Sequence, residues 1–242
     1  MQTTDKINAF KKLLKMQKEG FDFYQTESAD MYGGGRIHEL RLLEPLKNYS
    51  HENFNRKVAL DDVLRGILLA DRPKDVEHVE EERQIVKLAL IAGADPNAYS
   101  RHYAGGRIFD AFFNTGRLHV ALELAKAPNF FGSSDLASIY EGLSNCFDYY
   151  LKQGHHRPGE TATEDKMNLC KLKDRKELVC VLFKKGMYPY DERLFEKLVP
   201  IVLEQDPSFF EQKKEKTMTL LSKAKTPAQV FKALWGERIK SI

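Results

Sequence analysis

The sequence has 242 residues, of which 42% are hydrophobic and 30% charged, as in an ordinary globular protein with a sizeable core. No window approaches the run of about eighteen apolar residues that a membrane-spanning helix needs. The formal net charge is only +3, which gives little support for binding nucleic acid or an anionic membrane. The three cysteines, Cys146, Cys170 and Cys180, are irregularly spaced and odd in number, which suits a reducing compartment better than a disulfide framework.

The N-terminal segment Met1–Lys18 predicts an amphipathic helix, with Thr4-Asp5 as its cap and Gly20 as its end. Lysines are interspersed among its apolar residues, so it does not have the unbroken apolar stretch of a secretory signal. We therefore expect a cytoplasmic protein.

A short motif occurs twice, 71 residues apart: Tyr32–Ile37 and Tyr103–Ile108 share Tyr, Gly, Gly, Arg and Ile in register. Both copies are expected to lead into a helix, which for the first copy is predicted from Arg36 to about Asn48, with Pro45 late in it. The glycines invite comparison with a phosphate-binding loop, but no Lys-Ser/Thr follows them. Turn geometry is the better explanation.

Helical spacing is clearest in the middle of the chain, over Val58–Ala70 and again over Ile85–Ala92. Gly93 can take the left-handed conformation that ends a helix, and Asp95-Pro96-Asn97 has turn chemistry. A loop at 99–106 then precedes two further predicted helices, 107–114 and 118–126, separated by Gly116. The segment 75–83 carries mixed charge and is expected to lead into the central helix.

The succession of helix, glycine stop, turn, loop and helix pair over residues 85–126 resembles an ankyrin repeat, and weaker resemblances cover 6–45 and 176–190. The family's usual Thr-Pro-Leu-His is replaced by Arg107-Ile108-Phe109-Asp110. The resemblance implies an all-α fold, an ankyrin-like α-solenoid of stacked helix pairs over 1–190. Residues 191–242 are then predicted to form a helical C-terminal cap, since the end of a solenoid must be shielded.

The C-terminal half begins with a predicted aromatic helix, 136 to about 152, followed by an irregular segment, Gly154–Asp165, that is expected to be an exposed insertion loop. Lys176–Gly186 has the pattern of an ankyrin second helix. Three more helices are predicted at about 192–205, 207–224 and 227–241. The lysine-rich segment 213–225 includes Glu215 and apolar residues, which favours a solvated amphipathic helix over a nucleic-acid site.

Our first functional hypothesis is a non-enzymatic module that binds another protein through its hairpin tips and inner helix face, because these parts of a solenoid are free to vary. Tyrosine and arginine often carry interface energy. The predicted protein-binding residues are Tyr32, Arg36, Arg101, His102, Tyr103, Asp110 and Asn114. Most phenylalanines near 109–131 are expected to fill the core, and some to widen an exposed surface. No cofactor or metal is expected.

The irregular loops and the charged segment 211–216 suggest a secreted bacterial effector, which would act in the host cytoplasm. The second hypothesis is an enzyme with His155, His156 and Cys170 or Cys146 near the 154–165 loop. A zinc site built from these residues is disfavoured, because only the two adjacent histidines are close in sequence.

Overall fold

The structure, a computed structural model, describes residues 3–19, 23–28, 36–100, 106–133, 135–153 and 162–209, together with 226, 227, 229 and 230. The chain divides into two compact units, Met1–Ser134 and Asp135–Ile242. This division differs from the boundary at 190/191 that the sequence suggested. Most of the described residues are helical, in agreement with the expected fold class, although two strands are also present.

The described residues of the first unit form five α-helices, two strands and a short 3₁₀ helix. The α-helices are α1 (Thr3–Lys18), α2 (Arg56–Leu69), α3 (Val76–Ala92), α4 (Ile108–Asn114) and α5 (Leu118–Lys126), and the 3₁₀ helix is Glu44–Leu46. Helices α2 and α3 start at side-chain caps, because Asn55 accepts from the amide of Val58 and Asp75 accepts from that of His78. Helix α1 already includes the predicted capping residues Thr4 and Asp5.

The helix predicted from Arg36 to about Asn48 is wrong. Residues Phe23–Ser28 (β1) and Arg36–Arg41 (β2) form a two-stranded antiparallel sheet, and the 3₁₀ helix with Pro45 comes after it. Ile37 and Leu40 lie three residues apart, a spacing that suits a helix, but a strand forms here because a partner is available earlier in the chain.

The described end of each motif copy pairs with a residue eight positions earlier in the chain. In the first copy Ser28 pairs with Arg36, and in the second an isolated bridge pairs Tyr99 with Arg107, a pairing that we call the second hairpin. The second copy leads into helix α4 as expected, whereas the first continues as strand β2. The element that follows the motif therefore differs between the two copies.

Helices of the first unit pack in two rows. Helix α2 contacts α4, while α3 contacts α5 on one side and α1 on the other. Within each pair, α2 contacts α3 and α4 contacts α5. The core between them is formed by fully buried aliphatic and aromatic side chains, among them Leu13, Leu64, Ile85, Phe109 and Leu122.

Gly93 ends helix α3 as predicted, with φ of +119° and its amide bonded to the carbonyls of Ala89 and Leu90. A β-carbon placed there would meet no atom within 4 Å, so a side chain would be disfavoured by backbone conformation alone. Gly66 offers a contrast: it lies inside helix α2, and an added β-carbon would make ordinary contact with Leu42 at 3.6 Å.

We expect Gly93→Ala to lower the free energy of unfolding of the first unit by about 1 kcal/mol, because the left-handed conformation strains an L-residue. Gly66→Ala is the matched control and should be neutral or stabilise by up to about 1 kcal/mol, since alanine favours a helix interior. Urea denaturation followed by circular dichroism measures both. Equal effects of the two substitutions would contradict the assigned helix stop.

The second unit contains α6 (Leu136–Gln153), α7 (Ala162–Lys184) and α8 (Glu192–Gln205), and α8 contacts both of the others. Helix α7 begins fourteen residues before the predicted Lys176, whereas α8 has the predicted bounds. The ring of Phe183 lies at the centre of this unit's core, among Tyr140, Tyr188, Phe195 and Phe209. Of the predicted loop Gly154–Asp165, residues 154–161 lie outside the described residues. Residues 162–165 already belong to helix α7, so the loop prediction is wrong there. Most of the two last predicted helices also lies outside the described residues.

Within the described part of the chain, no helix combines the length and the apolar character that crossing a bilayer requires.

Candidate protein-binding surface

Two exposed aromatic residues, Tyr99 and Phe131, and the half-buried Arg107 lie close together in the first unit. Tyr99 and Phe131 are 64% and 65% exposed, although both are large and mainly apolar. The Arg107 guanidinium lies over the Phe131 ring, with Cζ 4.4 Å from the ring centroid. Tyr99 is paired with Arg107 through the isolated bridge. We call these three residues the aromatic row.

Backbone contacts fix the positions of the row. The amide of Ser100 donates to the carbonyl of Gly106 at 2.9 Å, and the amide of Ile108 donates to the carbonyl of Ala98 at 2.8 Å. These bonds hold Tyr99 and Arg107 on facing strands of the second hairpin. Arg107 Nη1 also donates to the carbonyl of Gly132 at 2.6 Å, which anchors the guanidinium beside Phe131. The backbone of the row and the Arg107 side chain are thus preorganised, and less entropy is lost there on binding.

Hydrogen bonds between residues 34 apart join helix α2 to the segment after α3, and that segment to the one after α5. Asp61 Oδ1 accepts from the Asp95 amide at 2.7 Å, and Asn97 Oδ1 accepts from the Phe131 amide at 3.1 Å. The side chain of Arg65 donates to the carbonyl of Tyr99 at 3.2 Å. The bond from the Phe131 amide to Asn97 therefore joins the segment after α3, which contains Tyr99, to the segment after α5.

Only some of the predicted binding residues can be located. Tyr32, Arg101, His102 and Tyr103 lie outside the described residues, and Arg36 begins strand β2. Asn114 is exposed at the end of α4.

Asp110 does not suit the predicted surface role. It is only 8% exposed and its carboxylate accepts a hydrogen bond from the hydroxyl of Ser133. Helix α4 has seven residues and packs against both α2 and α5, so its acidic residue is buried and hydrogen-bonded. Asp110 is better understood as a link between α4 and the segment after α5.

The sequence contained a partial signal for the aromatic row. The expectation that most nearby phenylalanines fill the core agrees with the buried Phe109, Phe112 and Phe130. Phe131 is the exception, because Phe130 already packs on Phe109, with ring centroids 4.9 Å apart, and the next residue faces away. Tyr99 and Arg107 were part of recognised patterns, but their role at the surface was missed.

Asp61 is a nearly buried carboxylate on α2 that faces the second hairpin. Desolvation raises its pKa above the ordinary value of 3.8, and the neighbouring Asp95 adds to this, although the bond from the Asp95 amide and the charges of Arg65 and Lys57 act in the opposite direction. A raised pKa means that the folded state favours the protonated form. The protonated Asp61 side chain therefore makes its full contribution to the stability of the folded state below pH 3.8, and this contribution is lost as the pH rises through the raised pKa of the folded state.

We therefore expect Asp61→Asn to be more stable than the parent at neutral pH, because the amide can still accept from the Asp95 amide without a buried charge. The advantage should shrink as the pH falls toward 3.8. Unfolding midpoints in urea at several pH values measure this difference. A parent that is the more stable of the two at neutral pH would show that the charge itself is needed.

A shallow groove of about 680 Å³ lies between the 3₁₀ helix and the start of α2. Its lining includes the polar residues Asn48, His51, Glu52, Asn53, Asn55 and Asp62. Among the described residues that line it there is no serine, threonine, cysteine or lysine, so His51 has no side-chain nucleophile of these kinds beside it.

Only two of the four residues of the enzyme hypothesis can be located. His155 and His156 lie outside the described residues, and Cys146 and Cys170 are half-buried on α6 and α7. Cys180 is buried, and desolvation raises its thiol pKa, which disfavours the reactive thiolate. Where side chains are described, no group of three metal-binding residues is found.

A buried cluster of charged residues, which we call the ionic cluster, joins α3 to α5. Glu82 is fully buried and lies 3.3 Å from Arg117 Nη1 and 2.7 Å from His119 Nε2. Next to it, Arg83 Nη1 lies 3.1 Å from the buried Glu123. The segment 75–83 was expected only to lead into the helix, whereas Glu82 and Arg83 are inside α3 and face α5. Each of these charged side chains has an oppositely charged or hydrogen-bonding partner within 3.3 Å. We therefore assign the ionic cluster a structural role, in which it holds α3 and α5 together.

Comparison of the chain with models of known protein families, with curated protein sequences and with solved structures gives no match.

Proposed function

We propose that the first unit is an ankyrin-like stack of helix pairs that binds another protein through the aromatic row. The stack is supported by two rows of helices and by hydrogen bonds between residues 34 apart, close to the ankyrin period of 33. In such a solenoid the hairpin tips and first helices are free for recognition.

The observation that carries the proposal is the exposure of Tyr99 and Phe131 on either side of an ordered arginine. Arginine, tyrosine and tryptophan are enriched among the residues that contribute most to binding at interfaces. The two exposed aromatic rings contribute apolar area, while Arg107 adds a cation held in place by the carbonyl of Gly132. A partner with an apolar surface and acidic groups nearby fits this combination.

The test begins with capture of partners by the full chain and their identification by mass spectrometry, followed by titration calorimetry of the purified pair. We expect Tyr99→Ala and Phe131→Ala each to weaken binding by more than about 1 kcal/mol, about a fivefold change or more, because each removes an aromatic anchor. Neither should change stability by more than about 0.5 kcal/mol, since both side chains are exposed.

Tyr190→Ala is the matched control, because Tyr190 is similarly exposed but belongs to the second unit. It should leave binding unchanged. Arg101→Ala with Tyr103→Ala extends the test to the predicted hairpin tip. Full affinity in both aromatic variants would refute the proposed surface.

The effector hypothesis is a separate proposal that depends on sequence features such as the charged segment 211–216. The genomic context of the gene tests the effector hypothesis, and a eukaryotic gene with introns would contradict it.

A further inference from the structure

Arg107 differs from comparable arginines of the first unit, because it has no anionic partner within the described part of the chain. The other buried or half-buried arginines whose side chains the structure describes in this unit each pair with a carboxylate: Arg65 with Asp62, Arg83 with Glu123, and Arg117 with Glu82. The half-buried Arg107 instead donates to a neutral group, the carbonyl of Gly132. A charge that is partly removed from water is costly unless it is paired. An anion from outside the chain would complete the surroundings of Arg107.

The hydrogen-bond donors of the Arg107 guanidinium are only partly used. Nη1 donates to the carbonyl of Gly132 at 2.6 Å, whereas Nε and Nη2, which form one edge of the group, have no partner among the described residues. The Gly132 bond and the contact with the Phe131 ring, 4.4 Å from Cζ, hold the guanidinium in one orientation. A carboxylate can accept from two N–H groups of such an edge at once. Arg107 is therefore preorganised to bind a planar anion through the edge formed by Nε and Nη2, which we call the open edge.

The neighbours of Arg107 indicate which kind of molecule carries the anion. Tyr99 and Phe131 are large and exposed, so apolar groups of the bound molecule can cover them. Phosphate groups are typically bound by clusters of arginines. Here Arg65, which donates to the carbonyl of Tyr99, is already paired with Asp62. A single carboxylate among apolar groups therefore fits the aromatic row better than a phosphorylated segment does.

We propose that the partner presents an aspartate or glutamate side chain, flanked by apolar residues, to the open edge of Arg107. This inference rests on the proposed function, because it describes the partner of the same aromatic row. The partner's carboxylate accepts from Nε and Nη2 of Arg107, and its apolar side chains cover Tyr99 and Phe131. Arg107 is then the residue that selects an acidic segment, while the two rings contribute apolar area without a charge preference.

The experiment selects binders from a phage-displayed library of random short peptides on the immobilised full chain. The enriched peptides are synthesised, and their dissociation constants are measured by titration calorimetry. We expect them to share an aspartate or glutamate next to bulky apolar residues. Replacing this acidic residue with its amide should weaken binding by about tenfold or more, and so should Arg107→Gln in the chain. Both changes together should weaken binding little more than either alone, because each removes the same ion pair.

Two further variants and the peptide itself provide the controls. Arg107→Lys keeps the charge but loses the planar group, so it should retain only part of the affinity. Arg72→Gln is the matched control, because Arg72 is an exposed arginine of the same unit outside the aromatic row. It should leave binding unchanged. The amide change in the peptide leaves the folding of the chain untouched, so it tests the ion pair independently of any effect of Arg107→Gln on stability.

The outcomes separate this inference from the proposed function. Peptides that bind through Tyr99 and Phe131 but contain no acidic residue, or that bind equally well as the amide, overturn the inference and leave the proposed function intact. Peptides that keep full affinity for both Tyr99→Ala and Phe131→Ala overturn the inference and the proposed surface together. A selection that enriches no peptide also counts against both.

Discussion

Replacing Arg117 with methionine is expected to lower the free energy of unfolding of the first unit by about 3–5 kcal/mol, because it leaves the buried Glu82 without its guanidinium partner. The loss extends beyond the ion pair. Arg117 Nη2 also donates to the carbonyls of Ala70 and Asp71, and these acceptors lie at the end of helix α2. The Glu82 carboxylate and the two carbonyls therefore all lose the Arg117 guanidinium as their donor. His119 remains next to Glu82.

The control is Lys176→Met, which removes a cation from a partly exposed ion pair. Lys176 Nζ lies 2.8 Å from Glu204, but the two side chains are 28% and 56% exposed. Surface pairs are worth less than about 1 kcal/mol, because water screens both charges. Urea denaturation followed by circular dichroism measures both variants. A loss for Arg117→Met no greater than for Lys176→Met would show that the ionic cluster contributes little.

Replacing Phe183 with alanine is expected to lower the free energy of unfolding of the second unit by about 3–5 kcal/mol, because it opens a cavity in a fully packed aromatic core. The Phe183 ring is stacked on Phe195, with centroids 5.4 Å apart, and edge-on to Tyr188 at the same distance. Such ring pairs add to the effect of area burial.

Near-ultraviolet circular dichroism during thermal unfolding is the suitable measurement, since it reports the packing of aromatic rings. Phe183→Leu keeps much of the side-chain volume and should cost less than alanine. Tyr190→Ala removes an exposed ring from the same unit and should change stability by less than about 0.5 kcal/mol. Equal losses for Phe183→Ala and Tyr190→Ala would contradict the central position of Phe183.

Local signals in the sequence were sufficient to predict the bounds of several helices. Helix α5 (Leu118–Lys126) and helix α8 (Glu192–Gln205) have the predicted bounds, and Gly93 ends α3 as expected. These features depend on residues within a few positions of each other, such as the Asp191 cap and the glycine stop. The resemblance to ankyrin repeats was likewise found from such local patterns.

Strand β2 could not be predicted in the same way, because a strand depends on its partner. The residues of Arg36–Arg41 have a spacing compatible with a helix, and the pairing with Phe23–Ser28 decides in favour of a sheet. The exposure of Tyr99 and Phe131 also depends on distant residues. Asn97 accepts from the Phe131 amide across 34 positions, and this fixes which of two adjacent phenylalanines lies outside.

By itself the sequence determined where most helices begin and end, because capping residues and apolar spacing act over a few residues. Tertiary structure alone decided which polar residues are buried. Glu82 and Arg117 are 35 positions apart, and a charged residue read in isolation is expected to face solvent. Only the packing of α3 against α5 brings them together, since a charge can leave water at a tolerable cost when its partner is already in place.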